Sequence, residues 1–295
     1  MGNLKEIRTR INSVASTEKI TNAMKMVAAA KLRKSENTTL RFVPYKSKLN
    51  EALTNYINSL DEALTIPLAE QREPKRVALV AFSSNSGLCG IYNSSIGKLF
   101  VSTYTEYANK LGAENVEVHL FGKKIADYAK KNGITATNIH PSVSEALSFE
   151  LAVQFSDQFV EQFLKGRIDR VVMVYNHHKS AGVQQPKVET VLPLATPSVS
   201  HDNDTETPWL DYLVEPSKEA FVNALVPKVI HTQFYAIMLD AMTAEHGARM
   251  TAMHIASDNA TALLQDLQRD YNRARQNVIT SELIDIVGGA EALNS

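Results

Sequence analysis

Leu264-Gln-Asp-Leu-Gln-Arg-Asp-Tyr-Asn-Arg-Ala-Arg-Gln-Asn-Val278 decides the fold. Leu264, Leu267, Tyr271, Ala274 and Val278 alternate threes and fours without a break, the spacing of a helix with one apolar seam. Ile279, Leu283 and Ile286 continue on a neighbouring stripe, and Gly288-Gly289 then permits the helix to stop. Upstream, Phe221 to Met253 is apolar and helix-prone, with a kink expected at Pro227. The other end of the chain carries the same signal: Leu4, Ile7, Ile11 and Val14 are spaced by threes and fours. Ile20, Met24 and Val27 resume the pattern after a phase slip, which predicts a coiled-coil seam with a stutter. Met26-Val-Ala-Ala-Ala-Lys-Leu-Arg33 has high helix propensity. A kink is expected at Pro44, after which Leu49, Leu53, Tyr56, Ile57 and Leu60 restore the period. Such an arm, at 1.5 Å per residue, would be roughly 80 Å long.

Helix breakers divide the chain into three. Neither Gly nor Pro occurs between Asn3 and Val43, and from Lys228 to Val287 Gly247 stands alone. Eight of the twelve glycines lie between Gly87 and Gly182. Two long terminal helices flanking a compact domain are predicted. Charge links the arms. Residues 1–35 hold eight Lys/Arg and two Asp/Glu; residues 240–295 hold four Lys/Arg and eight Asp/Glu. A long amphipathic helix needs a partner, and arms of opposite charge suit each other. The alternatives are arms packed on different surfaces, or self-association of the N-terminal helix.

The middle alternates strand-like and helix-like segments. Arg76 to Phe82 reads as a buried strand, Tyr92 to Leu111 as a helix, Val116 to Phe121 as a strand and Lys123 to Asn132 as a helix. Phe149 to Leu164 is amphipathic, Arg170 to Tyr175 is a buried strand, and Val188 to Leu194 a further one. This alternation implies a mainly parallel sheet with right-handed crossovers. His201 to Thr207 reads as a polar linker back to the helical arm.

The totals exclude several functions. A net charge of −1 argues against a general nucleic-acid binder. No apolar run reaches the length of a membrane span, and MGNLKEIRTR has no signal-peptide core, so a mature cytoplasmic protein is expected. Ser83 to Asn93 follows a strand and precedes a helix, where a nucleotide fold places its phosphate loop. Its glycines, Gly87 and Gly90, match no phosphate-binding spacing, so a tight turn is the better reading. Cys89 could be a nucleophile with a lowered pKa, but no His or Asp stands near it in sequence; a small buried side chain is expected. His177 and His178 point to opposite faces of a strand, and His246 and His254 lie two helical turns apart, so neither pair suits one metal. Glu245 and Arg249 have the spacing of a helix-supporting pair. No catalytic, cofactor or metal residue is predicted.

Three stretches resemble one family. Leu4-Lys-Glu-Ile-Arg with Thr17-Glu-Lys-Ile-Thr-Asn-Ala-Met-Lys-Met-Val-Ala-Ala-Ala-Lys-Leu-Arg is similar to the N-terminal helix of the gamma subunit of F-type ATP synthases. Glu245-His-Gly-Ala-Arg-Met-Thr-Ala-Met, Ala256-Ser-Asp-Asn-Ala, Asn272-Arg-Ala-Arg-Gln-Asn-Val-Ile-Thr-Ser-Glu-Leu and Ile286-Val-Gly-Gly-Ala resemble its C-terminal signature. Gly87-Leu-Cys-Gly is a third landmark.

The resemblance implies an α/β fold: a long antiparallel coiled coil (residues 1–60 with 210–290) and a central Rossmann-like domain (75–195). It implies a central-stalk rotor, itself non-catalytic and without cofactors, that couples ion flow to ATP synthesis or hydrolysis. The implied partners are a hexamer of alpha and beta subunits, the epsilon subunit and the membrane ring of c subunits. The implied place is the cytoplasmic face of a bacterial inner membrane, peripheral and without insertion. Residue by residue, Arg275 and Gln276 match positions that hydrogen-bond to a loop of beta, Met24 and Lys25 match the helix face near the acidic lever of beta, and Glu282 matches a position tied to coupling. The stretch Asn85-Ser86-Gly87-Leu-Cys-Gly-Ile91 departs from the family, which usually has an acidic–basic pair before the glycine and a second glycine after Cys-Gly. A single cysteine also means that the redox pair of the chloroplast form is absent. The rival readings are a coiled-coil scaffold, which would dimerise, and a nucleotide-dependent transferase, which would bind nucleotide.

Overall fold

A computed structural model describes residues 4–58, 66–141, 147–195 and 217–294. The expected linker His201 to Thr207 lies outside the described residues. Helix α1 is Leu4–Asn58 and helix α5 is Lys218–Asn294. Phe42 meets Tyr235 edge-on at 4.8 Å, and Tyr56 meets Phe221 at 4.7 Å. Both pairs give one antiparallel register, which places Leu4 about level with Arg273.

The seam of α5 is where the sequence placed it. Leu264, Leu267, Tyr271 and Ala274 are buried or half-buried. Val278 is exposed, because α1 has ended by that level. The stutter in α1 is not present in the packing. Protected positions run Leu4, Ile7, Ile11, Val14, Glu18, Thr21, Lys25, Ala28 and Leu32, and on in threes and fours to Tyr56. Ile20 and Val27 point outward, 59% and 58% exposed. Small and amphipathic side chains hold the middle of the seam, and Ile20 and Val27, two of the apolar residues that broke the phase, face outward.

One expected boundary also moves. Gly288 and Gly289 do not end α5, which continues to Asn294. A helical glycine costs only about 1 kcal/mol relative to alanine, too little to stop a helix by itself. Pro44 and Pro227 lie inside α1 and α5. An interior proline costs about 3 kcal/mol. Around Pro227, burial of Val226, Val229 and Ile230 offsets this, at roughly 1.5–3 kcal/mol for each side chain.

Among the described residues the sheet has five strands: β1 (Val77–Phe82), β2 (Val116–Phe121), β3 (Asn138–His140), β4 (Arg170–Ser180) and β5 (Val183–Leu192). Their spatial order is β3-β2-β1-β4-β5. The first four are parallel, and β5 returns antiparallel to β4. Helices α2 (Tyr92–Leu111), α3 (Lys123–Lys131) and α4 (Phe149–Leu164) connect them. The Ser148 hydroxyl caps α4 by accepting from the Leu151 N–H at 3.2 Å. Strand β3 and the extension of β4 beyond Tyr175 were not expected. Three residues are too short for a periodic signal, and Asn-His-His-Lys is polar.

Every residue of β1 is buried, so both faces of the sheet are covered at its centre. Val77, Leu79 and Ala81 pack with Ile96 and Phe100 of α2 and Ile125 of α3. Ala78, Val80 and Phe82 share the other core with Phe159 and Phe163 of α4 and with Leu53, Val229, Phe234 and Ile237 of the arms. The root of the two-helix shaft thus seals this second face at the centre of the sheet.

Candidate functional site

In a doubly wound sheet, ligands bind outside the carboxyl ends of the strands, where the strand order reverses. Here that point lies between β1 and β4. The crevice is filled by α5. The Tyr92 hydroxyl donates to the Ala241 carbonyl at 2.9 Å. Cys89 and Tyr92 are buried with Ala244 and Ala248. Arg249 pairs with Glu245 at 2.6 Å and donates to the Ser86 hydroxyl at 3.0 Å. The helix pair expected from sequence thus also ties α5 to the β1–α2 turn. From β4, His177 Nδ1 lies 2.6 Å from Asp240 Oδ2, and the His178 N–H donates to Asp240 Oδ1 at 2.9 Å.

The turn itself is closed by its own side chains. The Asn93 amide donates to Ser84 Oγ at 2.7 Å and to Cys89 Sγ at 3.0 Å. Leu88 and Gly90 both have positive φ, 62° and 58°, which reverses the chain sharply before α2. Cys89 is buried, and burial pushes its thiol pKa up, the opposite of what a nucleophile requires. The tight-turn reading of Ser83 to Asn93 holds. Among the described residues, no group of three or more His, Cys, Asp or Glu has metal-binding geometry. His246 is buried in the shaft, and desolvation, with Arg249 and Lys31 nearby, lowers its pKa to about 4. His254 is exposed beside Asp258 at 3.3 Å.

The five residues singled out from sequence fall in two groups. Met24 and Lys25 are half-buried on α1, at the edge of the seam. Arg275, Gln276 and Glu282 are exposed on α5, beyond the start of α1. In the antiparallel register, Lys25 is level with residue 252. The two groups are therefore about 35 Å apart along the shaft at 1.5 Å per residue. The structure does not bring them together; any partner touching both must be long.

Sequence reasoning missed two side chains near the first group. Leu88 and Ile91 are 63% and 78% exposed. Their turn meets α5 at Ala252, close to the level of Lys25. Two apolar residues flanking Cys-Gly in a turn were the available signal. With Ile20, Met26 and Val27 they expose apolar surface around one section of the shaft. A second such section is the overhanging end of α5, where Ile279, Leu283, Ile284, Ile286 and Val287 are all exposed.

The family model described as ATP synthase matches residues 3–293. The ATP synthase gamma chain of Bacteroides fragilis is 43% identical over 292 residues, covering 99% of this chain and 100% of that one. The gamma chain of Flavobacterium johnsoniae is 44% identical over 294 residues, covering all of both chains. Among solved structures, a chain of the Euglena gracilis mitochondrial ATP synthase (OSCP/F1/c-ring, rotational state 3) has the same fold, with a TM-score of 0.63 at 21% identity over 98% of this chain and 94% of that one. A chain of the central stalk/c-ring structure from Tetrahymena thermophila gives 0.56 at 24% identity, covering 81% and 99%. A shaft of two antiparallel helices rooted in an α/β domain, matched along its length by these relatives, places the chain in the ATP synthase gamma chain family.

Proposed function

We propose that the shaft turns inside a hexamer of alpha and beta subunits, with residues 1–60 and 210–290 as the axle and 75–195 as its foot. As a gamma chain, the protein is the central-stalk rotor subunit of an ATP synthase. The foot meets the c-ring and the epsilon subunit at the cytoplasmic face of a bacterial membrane, and the chain carries no catalytic site. The neighbours named above come from F1, central-stalk and c-ring assemblies, which supports this placement. Among the described residues no helix is long and apolar enough to cross a membrane, in keeping with a peripheral position.

The observation that carries the reading is the overhang of α5. Residues 275–290 are all exposed, and they continue for about 24 Å past the end of the seam. A lone helix with exposed Ile, Leu and Val needs a surface outside this chain. Arg275 and Gln276 stand at its base, positioned to hydrogen-bond a loop of beta, and Glu282 lies two turns further on. Met24 and Lys25, near the outward-facing Ile20 and Val27, form the lower contact with an acidic segment of beta. Lys25 is half-buried beside the seam, and the attraction of its charge to carboxylates is long-ranged and weakly directional. Diffuse contacts suit a surface that must slide.

The filled crevice supports the non-catalytic reading. Where a related fold would admit a nucleotide, Tyr92, Arg249 and Asp240 bind the domain to its own shaft.

The test is reconstitution. The purified chain is mixed with alpha and beta subunits of a related bacterium, and mass is measured across size-exclusion chromatography. A complex of three alpha, three beta and one copy of this chain, with raised ATPase activity, is expected. A stable homodimer that ignores the hexamer would sink the proposal and favour a scaffold.

A further inference from the structure

Residues 240–252 of α5 are held from two sides. Ala241, Ala244 and Ala248 face the β1–α2 turn, through the Tyr92 hydroxyl and the cluster with Cys89. Asp240, Gly247 and Thr251 face the β4–β5 hairpin. At 3.6 residues per turn, these two faces lie roughly 75° apart around the helix.

The hairpin contact is specific. Asp240 uses both carboxylate oxygens, one on the His177 ring at 2.6 Å and one on the His178 N–H at 2.9 Å. The Thr251 hydroxyl donates to the Ala181 carbonyl at 2.9 Å. Between them, Gly247 lets the hairpin turn approach closely: a Cβ there would lie 3.1 Å from the Ala181 oxygen and 3.2 Å from its Cα. The same hairpin reaches the other arm, where His178 Nε2 lies 3.3 Å from Glu36 Oε1. One short turn therefore engages both helices of the shaft.

Burial of apolar surface between domain and shaft is strong but non-directional, so it resists separation better than rotation. Hydrogen bonds of 2.6–2.9 Å on a second face of α5 are directional and set the angle. We propose that the hairpin turn 177–182 is the torque key of this rotor. It fixes the azimuth of the α/β domain on the two-helix shaft, with Asp240 and Gly247 as positioning residues. The inference rests on the rotor reading above and adds to it the place where torque crosses between foot and axle.

The test uses the assembled complex of alpha, beta and this chain, with the hexamer fixed to a surface. A bead is attached to the α/β domain through Lys131→Cys, an exposed position, and its angular variance within a dwell is recorded. Asp240→Ala and Gly247→Val each loosen the hairpin face and leave the face on the β1–α2 turn intact, so the variance should rise about twofold. Unloaded ATP hydrolysis should not change. Asp240→Asn keeps an oxygen for the His178 N–H and should fall between wild type and Asp240→Ala. His177→Ala removes one half-exposed bond and keeps the test available where Gly247→Val does not assemble. Wild-type rotation with unchanged variance in the variants overturns the key alone. A wild-type chain that does not rotate in the hexamer overturns the rotor reading, and the key with it.

Discussion

Replacing Tyr92 by Phe and by Ala separates two bonds that hold the domain to the shaft. Tyr92 is fully buried, its ring against Cys89, Ala244 and Ala248, and its hydroxyl on the Ala241 carbonyl at 2.9 Å. Burial raises its pKa well above the usual tyrosine value, with the Glu245 charge adding to the effect, so the hydroxyl stays protonated and donates. Tyr92→Phe deletes that donor. The Ala241 carbonyl sits inside a continuous helix and keeps its helical partner, so no orphaned acceptor remains. The loss should be about 1 kcal/mol, the net worth of one hydrogen bond. That is a change of about fivefold in the folding equilibrium. Tyr92→Ala also removes the ring and leaves a cavity at the crossing of α2 and α5, which should cost about 3–5 kcal/mol. The assay is urea unfolding followed by circular dichroism, comparing midpoints at constant slope. Equal losses for the two variants would refute the reasoning, since the ring would then contribute nothing beyond its hydroxyl.

Other expectations follow from the same geometry. Leu267→Ala, in the seam, should destabilise the chain by about 2–5 kcal/mol, whereas Ile20→Ala, at an outward-facing position, should cost no more than about 0.5 kcal/mol. Unfolding midpoints decide, and the reverse order would contradict the register of α1. His119 and His246 both titrate near 4, mainly because burial opposes their charge. The folded state holds them neutral, while the unfolded chain takes up protons near pH 6.5. Their stabilisation is therefore full above about pH 6.5 and disappears as pH falls towards 4, at up to about 3 kcal/mol for each. A double variant, His119→Gln with His246→Gln, should flatten that stretch of the stability–pH curve; an unchanged slope would rule out the cause. Arg275→Ala should leave the unfolding midpoint alone, since the side chain is exposed. It should lower ATP synthesis in membranes by weakening charge-assisted bonds worth about 1.5–3 kcal/mol. An unchanged rate would remove Arg275 from the contact.

Three parts of this protein are legible in its sequence. The α2, β2 and α4 boundaries coincide with their apolar patterns, and the seam from Leu264 to Ala274 packs as its threes and fours require. The turn at Ser83 to Asn93 lacks phosphate-binding spacing and is closed by its own side chains. The site is less legible. Met24, Lys25, Arg275, Gln276 and Glu282 are marked by family resemblance alone, because an exposed polar residue on a helix has no periodic signal to distinguish it. Leu88 and Ile91 carry no such mark, since two apolar residues in a turn look like ordinary loop chemistry until their exposure is seen.

By itself, then, the sequence determined where the helices and the apolar strands form, β3 and the polar end of β4 excepted, for these depend on local propensity and on which residues are apolar. Tertiary structure alone decided which face of α1 meets its partner along the middle of the seam. In α1, Glu18, Thr21 and Ala28 lie in the seam while Ile20 and Val27 face outward, because the unbroken helical period of the contact with α5, and not the hydropathy of each residue, selects what is covered. It also decided that α5 lies in the crevice of the sheet, with Gly247 against Ala181 and Asp240 on His177 and His178. Those residues are more than sixty positions apart in the chain, and only the folded register brings a small side chain opposite a close backbone, or a carboxylate opposite two donors.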